Sequence, residues 1–186
     1  MMAGSSSGWG WDDVLPVFKS HEDHFAGSSD VHGVGGEWKI NQLRVSWEIL
    51  DAFIDAAEQA GIPRTSDFNT GDNEGCGYFH VNQVSGRRWS AARGFLAPAR
   101  NRKNLTVITN ALVDRVVLDG RTATGVVIRE NGRERTLQAR GEVILSTGAV
   151  ASPAILERSG IGWGDRLSSL GIDVVHDLPG VGENLQ

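Results

Sequence analysis

The segment EVILSTGAVASPAILERSGIG, Glu142 to Gly162, constrains the fold more than any other part of the chain, because its residue types pass from strand to turn to helix within a few positions. Glu142 to Ser146 has the short apolar run of a buried strand. Thr147-Gly148-Ala149 then offers backbone with almost no side-chain bulk, which a ligand can approach closely. Ser152 before Pro153 reads as a helix start, with the hydroxyl capping free N–H groups and the proline in the first turn. Gly160 suits the helix end. The expectation is a strand over 142–146 and a helix over 153–159. Such a strand, bare turn and helix N-terminus form the kind of place where an α/β protein receives phosphate or other anionic groups. An ordinary strand-to-helix crossover that binds nothing is the alternative reading of the same residues.

Composition narrows the classes around this segment. The 186 residues, 40% hydrophobic and 22% charged, suit a globular chain with a real core or a piece of something larger. A net charge of −5 gives no reason to expect nucleic acid as a partner. Cys76 is the only cysteine, so an internal disulfide and multi-cysteine metal sites are excluded. No apolar run approaches the ~18 residues of a transmembrane segment, and the start MMAGSSSGWGW has no secretion-signal pattern. The expected location is cytoplasmic, with peripheral membrane association left open.

Along the chain, residues 1–8 are Gly/Ser-rich and expected to be a flexible start. Residues 9–25 suggest one or two short helical turns interrupted by Pro16, residues 26–37 a loop, and Trp38 to Leu43 a short strand. A helix is expected from Ser46 to Ala60, with Leu50, Phe53, Ile54 and Ala57 on one face and Gly61 and Pro63 as the stop. A turn-rich stretch from Arg64 gains alternation around Tyr78, His80 and Asn82, a loop entering a strand. Ser90 to Ala99 begins as a helix that Pro98 limits. Four strands follow, over 105–110, 113–118, 125–130 and 135–140, with hairpin turns at Asp119-Gly120 and Asn131-Gly132. A short helix near Arg166 to Leu170 and a strand from Asp173 to His176 complete an α/β, or mixed α+β, architecture.

Several competing chemistries fail on spacing. No complete G-x-G-x-x-G dinucleotide fingerprint occurs: Gly33, Gly35 and Gly36 follow no apolar strand, and Gly160, Gly162 and Gly164 follow a helix. His21-Glu22-Asp23-His24 lacks the four-residue helical spacing of a zinc-protease motif, so no metal is expected. His80 and His176 are single histidines on expected strands, a setting in which a histidine is usually hydrogen-bonded within the fold. The six tryptophans are scattered, which favours individual packing roles over a stacking platform.

The same segment, read as Gly148, Ala149, Ser152, Pro153, Ile155, Leu156, Ser159, Gly160, Ile161 and Gly162, resembles the second signature of the glucose-methanol-choline (GMC) family of flavin-dependent alcohol oxidoreductases. GWGWDDVLPVFKSHEDH, DAAEQAGIPRTSDFN, GRRWSAARGFLAPA, NLTVITNALVDRVVLDG and DLPGVGENLQ resemble further blocks of it, over residues 8–186, closest to a choline dehydrogenase-like branch. The resemblance implies part of an FAD-binding Rossmann-like domain with a β-meander (105–186) and part of a substrate-binding, flavin-covering region (9–104). It implies hydride transfer from a small-molecule alcohol to FAD, giving an aldehyde or ketone, with the electron acceptor unspecified. Val113 matches the position whose backbone faces the adenine of FAD, and Ser146, Thr147, Gly148 and Ala149 match the strand end that passes the cofactor. Tyr78 and His80 fall in the segment expected on the flavin and substrate side. The family's N-terminal glycine-rich strand and C-terminal catalytic histidine have no counterpart here. The chain therefore reads as an internal fragment with no catalytic residue of its own, inactive in isolation. A non-catalytic scaffold relic and an oxygen-using alcohol oxidase are the alternatives.

Overall fold

In the computed structural model, which describes residues 8–185, α1 (Trp11–His21) opens where the Gly10 N–H donates to the Asp13 carboxylate at 3.1 Å. Acidic Asp12 and Asp13 in the first turn and Lys19 and His21 in the last suit the helix dipole. The helix runs unbroken through Pro16, correcting the expectation of interrupted turns. The flexible start expected over residues 1–8 lies, for residues 1–7, outside the described residues.

Contacts divide the chain into two units, one up to Thr106 and one from Val107. In the first, β1 (Glu22–His24) pairs in parallel with β2 (Trp38–Ile40), His24 opposite Ile40. Helix α2 (Glu48–Gln59) follows close to expectation, but of its apolar face only Ile54 and Ala57 are buried, while Phe53 is 67% exposed. Residues 78–82 make a single bridge, Val81 to Asn41, instead of a strand. The ladder forms one step later, as the hairpin β3 (Gln83–Val84) and β4 (Arg87–Arg88). A π-helical turn over Ala92–Leu96 leads into α3 (Ala97–Ala99), so Pro98 continues the helix it was expected to limit. The proline sits in the first turn of α3, where its missing N–H costs nothing.

The second unit centres on an antiparallel meander, β5 (Ala111–Asp119), β6 (Thr122–Glu130) and β7 (Arg133–Gln138), in that spatial order. The expected turns close it: Gly120 has φ +57°, and Asn131 and Gly132 have φ +51° and +75°, the left-handed pair of a type I′ hairpin. Between Val113 and Arg115 the β5–β6 register shifts, leaving Asp114 as a bulge. Helix α4 (Gly148–Arg158) docks on that bulge. The buried Ser159 hydroxyl accepts the Val116 N–H at 2.8 Å and donates to the Ile155 carbonyl at 2.6 Å, and Arg158 Nε donates to the Asp114 carbonyl at 2.7 Å. Gly160, at φ +83°, then ends the helix, and a β-carbon there would collide with the Asp173 carbonyl. Strand β8 (Ile161–Gly162), helix α5 (Gly164–Ser169) with fully buried Leu167, and strand β9 (His176–Asp177), parallel to β8, complete the unit. The last strand was expected over 173–176 and pairs one step later.

Two strand expectations fail for one reason. Segments 105–110 and 142–146 run without helix or ladder, and Ile144 is 75% exposed. Their apolar composition is that of buried strands, but an extended segment becomes a strand only where a neighbour supplies its hydrogen bonds, and no described residue does. Helix α4 starts at Gly148, five residues before Pro153, and Ser152 does not cap it: its hydroxyl lies 2.9 Å from the Thr147 hydroxyl.

Replacing Ser159 with Ala removes the Val116 N–H acceptor inside the protein, a loss of about 1–3 kcal/mol. Urea unfolding should show a lower midpoint with an unchanged slope. An unaltered midpoint would mean that the helix is docked by other contacts.

Candidate functional site

In the second unit, the residues singled out from sequence fall around the start of α4. Val113 and Thr147 line one cavity of about 310 Å³ with Gly125, Leu137 and Ile144. Ala149 lines another, of about 560 Å³, with Pro153, Glu157, Arg166 and Asn184. Ser146 and Gly148 are exposed and line neither. Gly148 has φ +88° and open space where a side chain would stand. No side chain caps α4, so the N–H groups of its first turn keep their pull on negative charge. Val113 lies beside the bulge on β5, an edge strand of the meander, and its carbonyl receives a long contact of 3.5 Å from Arg158. Bare backbone, an uncapped helix start and an edge strand can together hold a phosphate-bearing ligand by main-chain groups.

In the first unit, Tyr78 and His80 line a cavity of about 340 Å³ with Asp51, Arg64 and Thr65. The Tyr78 hydroxyl donates to Asp51 Oδ1 at 2.8 Å; burial, then this bond, holds its pKa above the ordinary value. Sequence reasoning did not find what lies behind His80. His32 is 7% exposed and stands between two carboxylates, Nδ1 at 2.9 Å from Glu22 Oε2 and Nε2 at 2.8 Å from Asp67 Oδ2. His24, 5% exposed, stacks on it with ring centroids 3.9 Å apart, and its Nε2 lies 3.3 Å from His80 Nδ1. The alternation of strand β1 explains the grouping: Glu22 and His24 share one face, while Asp23 accepts from Lys39 Nζ at 2.6 Å. Period-two alternation in Glu22-Asp23-His24 was the available signal, and testing it only against helical spacing missed it.

The ionisation follows the geometry. Burial pushes the His32 imidazole down, but its hydrogen bonds to Glu22 and Asp67 and their charges win, and its pKa is raised. Burial, then the charge of His32, holds His24 below the ordinary value. Burial raises the Asp67 carboxyl, yet the Asn69 N–H and His32 bring it below the ordinary value. Donor atoms of His24, His32 and Asp67 lie within 4.8 Å of one another, a spacing that a cation can bridge. Both nitrogens of His32 are already engaged and His24 Nδ1 lies 3.3 Å from the Ala26 N–H, so the cluster is arranged as a hydrogen-bonded ion pair. No helix among the described residues is long and apolar enough to cross a membrane.

The model of the family described as GMC oxidoreductase matches residues 3–186. An oxygen-dependent choline dehydrogenase of Pectobacterium atrosepticum is 46% identical over 180 residues, 96% of this chain and 32% of the relative. One from Pseudomonas putida is 45% identical over 182 residues, with the same shares. Among solved structures, pyridoxine 4-oxidase from Mesorbium loti matches with a TM-score of 0.83 and 37% identity, over 92% of this chain and 34% of that one. A fungal aryl-alcohol oxidase matches with a TM-score of 0.84 and 27% identity, over 95% and 32%.

The histidine cluster makes stability depend on pH with a definite sign. The raised His32 pKa contributes stability that is complete below 6.5 and is lost as pH rises through the folded value. The lowered His24 pKa acts oppositely, opposing folding as pH falls below 6.5, and lowered Asp67 adds to this below 3.8. Thermal midpoints measured across pH should peak near neutrality, and His32→Gln should flatten the alkaline limb. An alkaline limb of unchanged steepness in that variant contradicts the assignment.

Proposed function

Because the chain belongs to the GMC oxidoreductase family, we propose that it forms part of an FAD-dependent, choline dehydrogenase-like enzyme acting on the CH–OH group of alcohols. The chain spans about a third of the length of the curated relatives it matches. Within that enzyme, residues 9–104 belong to the region covering the substrate and flavin, and residues 105–186 to the FAD-binding domain. The observation that carries the reading is the 46% identity with a choline dehydrogenase over 96% of the chain.

Bound FAD would supply the hydride acceptor for oxidation of the alcohol carbon. The chain's own residues bind and orient. Ser146 to Ala149 and the uncapped start of α4 receive the cofactor's anionic groups by backbone N–H donors, a role supported by the positive φ and open space at Gly148. Val113 faces the adenine through its main chain, an assignment consistent with its place on an edge strand. Tyr78 and His80 belong to the substrate side, which fits their common cavity. No histidine of this chain is assigned as the catalytic base. Molecular oxygen as electron acceptor is the second reading, favoured by the oxygen-dependent relatives and by the oxidases among the solved structures.

The test is flavin content. In the flavoprotein that carries this chain, Gly148→Val places a β-branched side chain at φ +88°, a strain of about 1–3 kcal/mol at the cofactor's approach. Flavin content after gel filtration should fall several-fold in that variant, while Ser169→Ala retains it. The 186-residue chain alone should retain no FAD, and bleaching of its flavin absorbance by choline would contradict the proposal.

A further inference from the structure

The protons of the histidine cluster are fixed by its neighbours. His32 has a carboxylate oxygen within 2.9 Å of each ring nitrogen, so both nitrogens donate and the ring is an imidazolium. His24 stacks on that cation at 3.9 Å, nearly parallel at 15°, and a second charge there would face the first across a buried contact. His24 is therefore neutral. Its Nδ1 accepts the Ala26 N–H at 3.3 Å, which puts its single proton on Nε2. That proton points its bond at His80 Nδ1, 3.3 Å away, which must accept. His80 then carries its own proton on Nε2. The titratable groups packed around His32 are Glu22 and His24 from β1 and Asp67 from the 64–80 segment, and His80 lies beyond them, its Nδ1 3.3 Å from His24 Nε2 and 3.8 Å from Asp67 Oδ1.

We propose that His32 is a positioning residue: as a fixed imidazolium it keeps His24 neutral, and the His24–His80 bond then makes His80 a hydrogen-bond donor, through Nε2–H, in the cavity it shares with Tyr78. The Tyr78 hydroxyl spends its proton on Asp51, so its oxygen remains an acceptor. A donor and an acceptor lining one cavity suit a ligand group that both takes and gives a hydrogen bond. The proton order rests on this chain's geometry alone; only the identification of the ligand as the substrate rests on the proposed function.

Long-range nitrogen–proton NMR on histidine-labelled protein reads each ring directly. At neutral pH the expected spectrum has His32 protonated on both nitrogens and His24 and His80 neutral with the proton on Nε2. In His32→Leu, His24 should titrate closer to 6.5 but still below it, because the burial that is the first cause of its lowered pKa remains, whereas a structural loss that exposes the ring would bring it fully to 6.5. Should that variant fail to fold, Asp67→Asn removes one of the two carboxylates, and His32 should then release its proton at a lower pH than in the parent. A neutral His32 at neutral pH, a His80 protonated on Nδ1, or His24 and His32 titrating together would each overturn the proposal. These outcomes do not involve flavin, so failure of the functional reading leaves them intact.

Discussion

An extended backbone is stable as a strand only when a neighbour supplies its hydrogen bonds, and this constraint decides which apolar segments of the chain become sheet. The meander β5–β6–β7 meets the requirement internally, through two-residue turns that the sequence marks with glycine and asparagine. Segments 105–110 and 142–146 have the composition of buried strands but no described partner. Both lack a ladder, and Val107 and Ile144 lie on the surface. The chain covers about a third of the length of its relatives, and large apolar side chains such as Phe53 and Phe18 are exposed as well.

What the meander lacks in breadth is offset by the bulge at Asp114. Shifting the register by one residue frees the Val116 N–H and the Asp114 carbonyl from the ladder, and Ser159 and Arg158 take them. The Ser-Gly-Ile-Gly run is thus explained residue by residue. The serine joins helix end to bulge, the first glycine makes the left-handed turn beside Asp173, and isoleucine and the second glycine form the short strand β8. The same docking sets the far end of α4, and with it the bare turn at the near end, so fold and candidate cofactor site depend on one contact.

Legibility in the sequence followed the range of the physics. Local signals worked: the meander, its turns, the helix over 48–59 and the glycine stops at 160 and 171 were all readable from spacing. Signals that depend on distant partners did not. Pro16 reads as an interruption and Pro153 as a first-turn residue, yet both sit inside longer helices. The cluster of Glu22, His24, His32, Asp67 and His80 draws on three separate segments, and only the alternation of β1 hinted at it. Family resemblance supplied what no local pattern held, namely FAD, and it is the ground on which residues 146–149 are proposed to face the cofactor.

The account stands or falls on whether residues near Val113 and the start of α4 hold the adenine half of FAD. The most direct measurement is photolabelling of the flavin-binding protein with an adenine-azido analogue of FAD, followed by peptide mapping. Label on residues 111–119 or 146–149 is the predicted result. Label confined to other segments, with flavin still bound and competed by FAD, would contradict it.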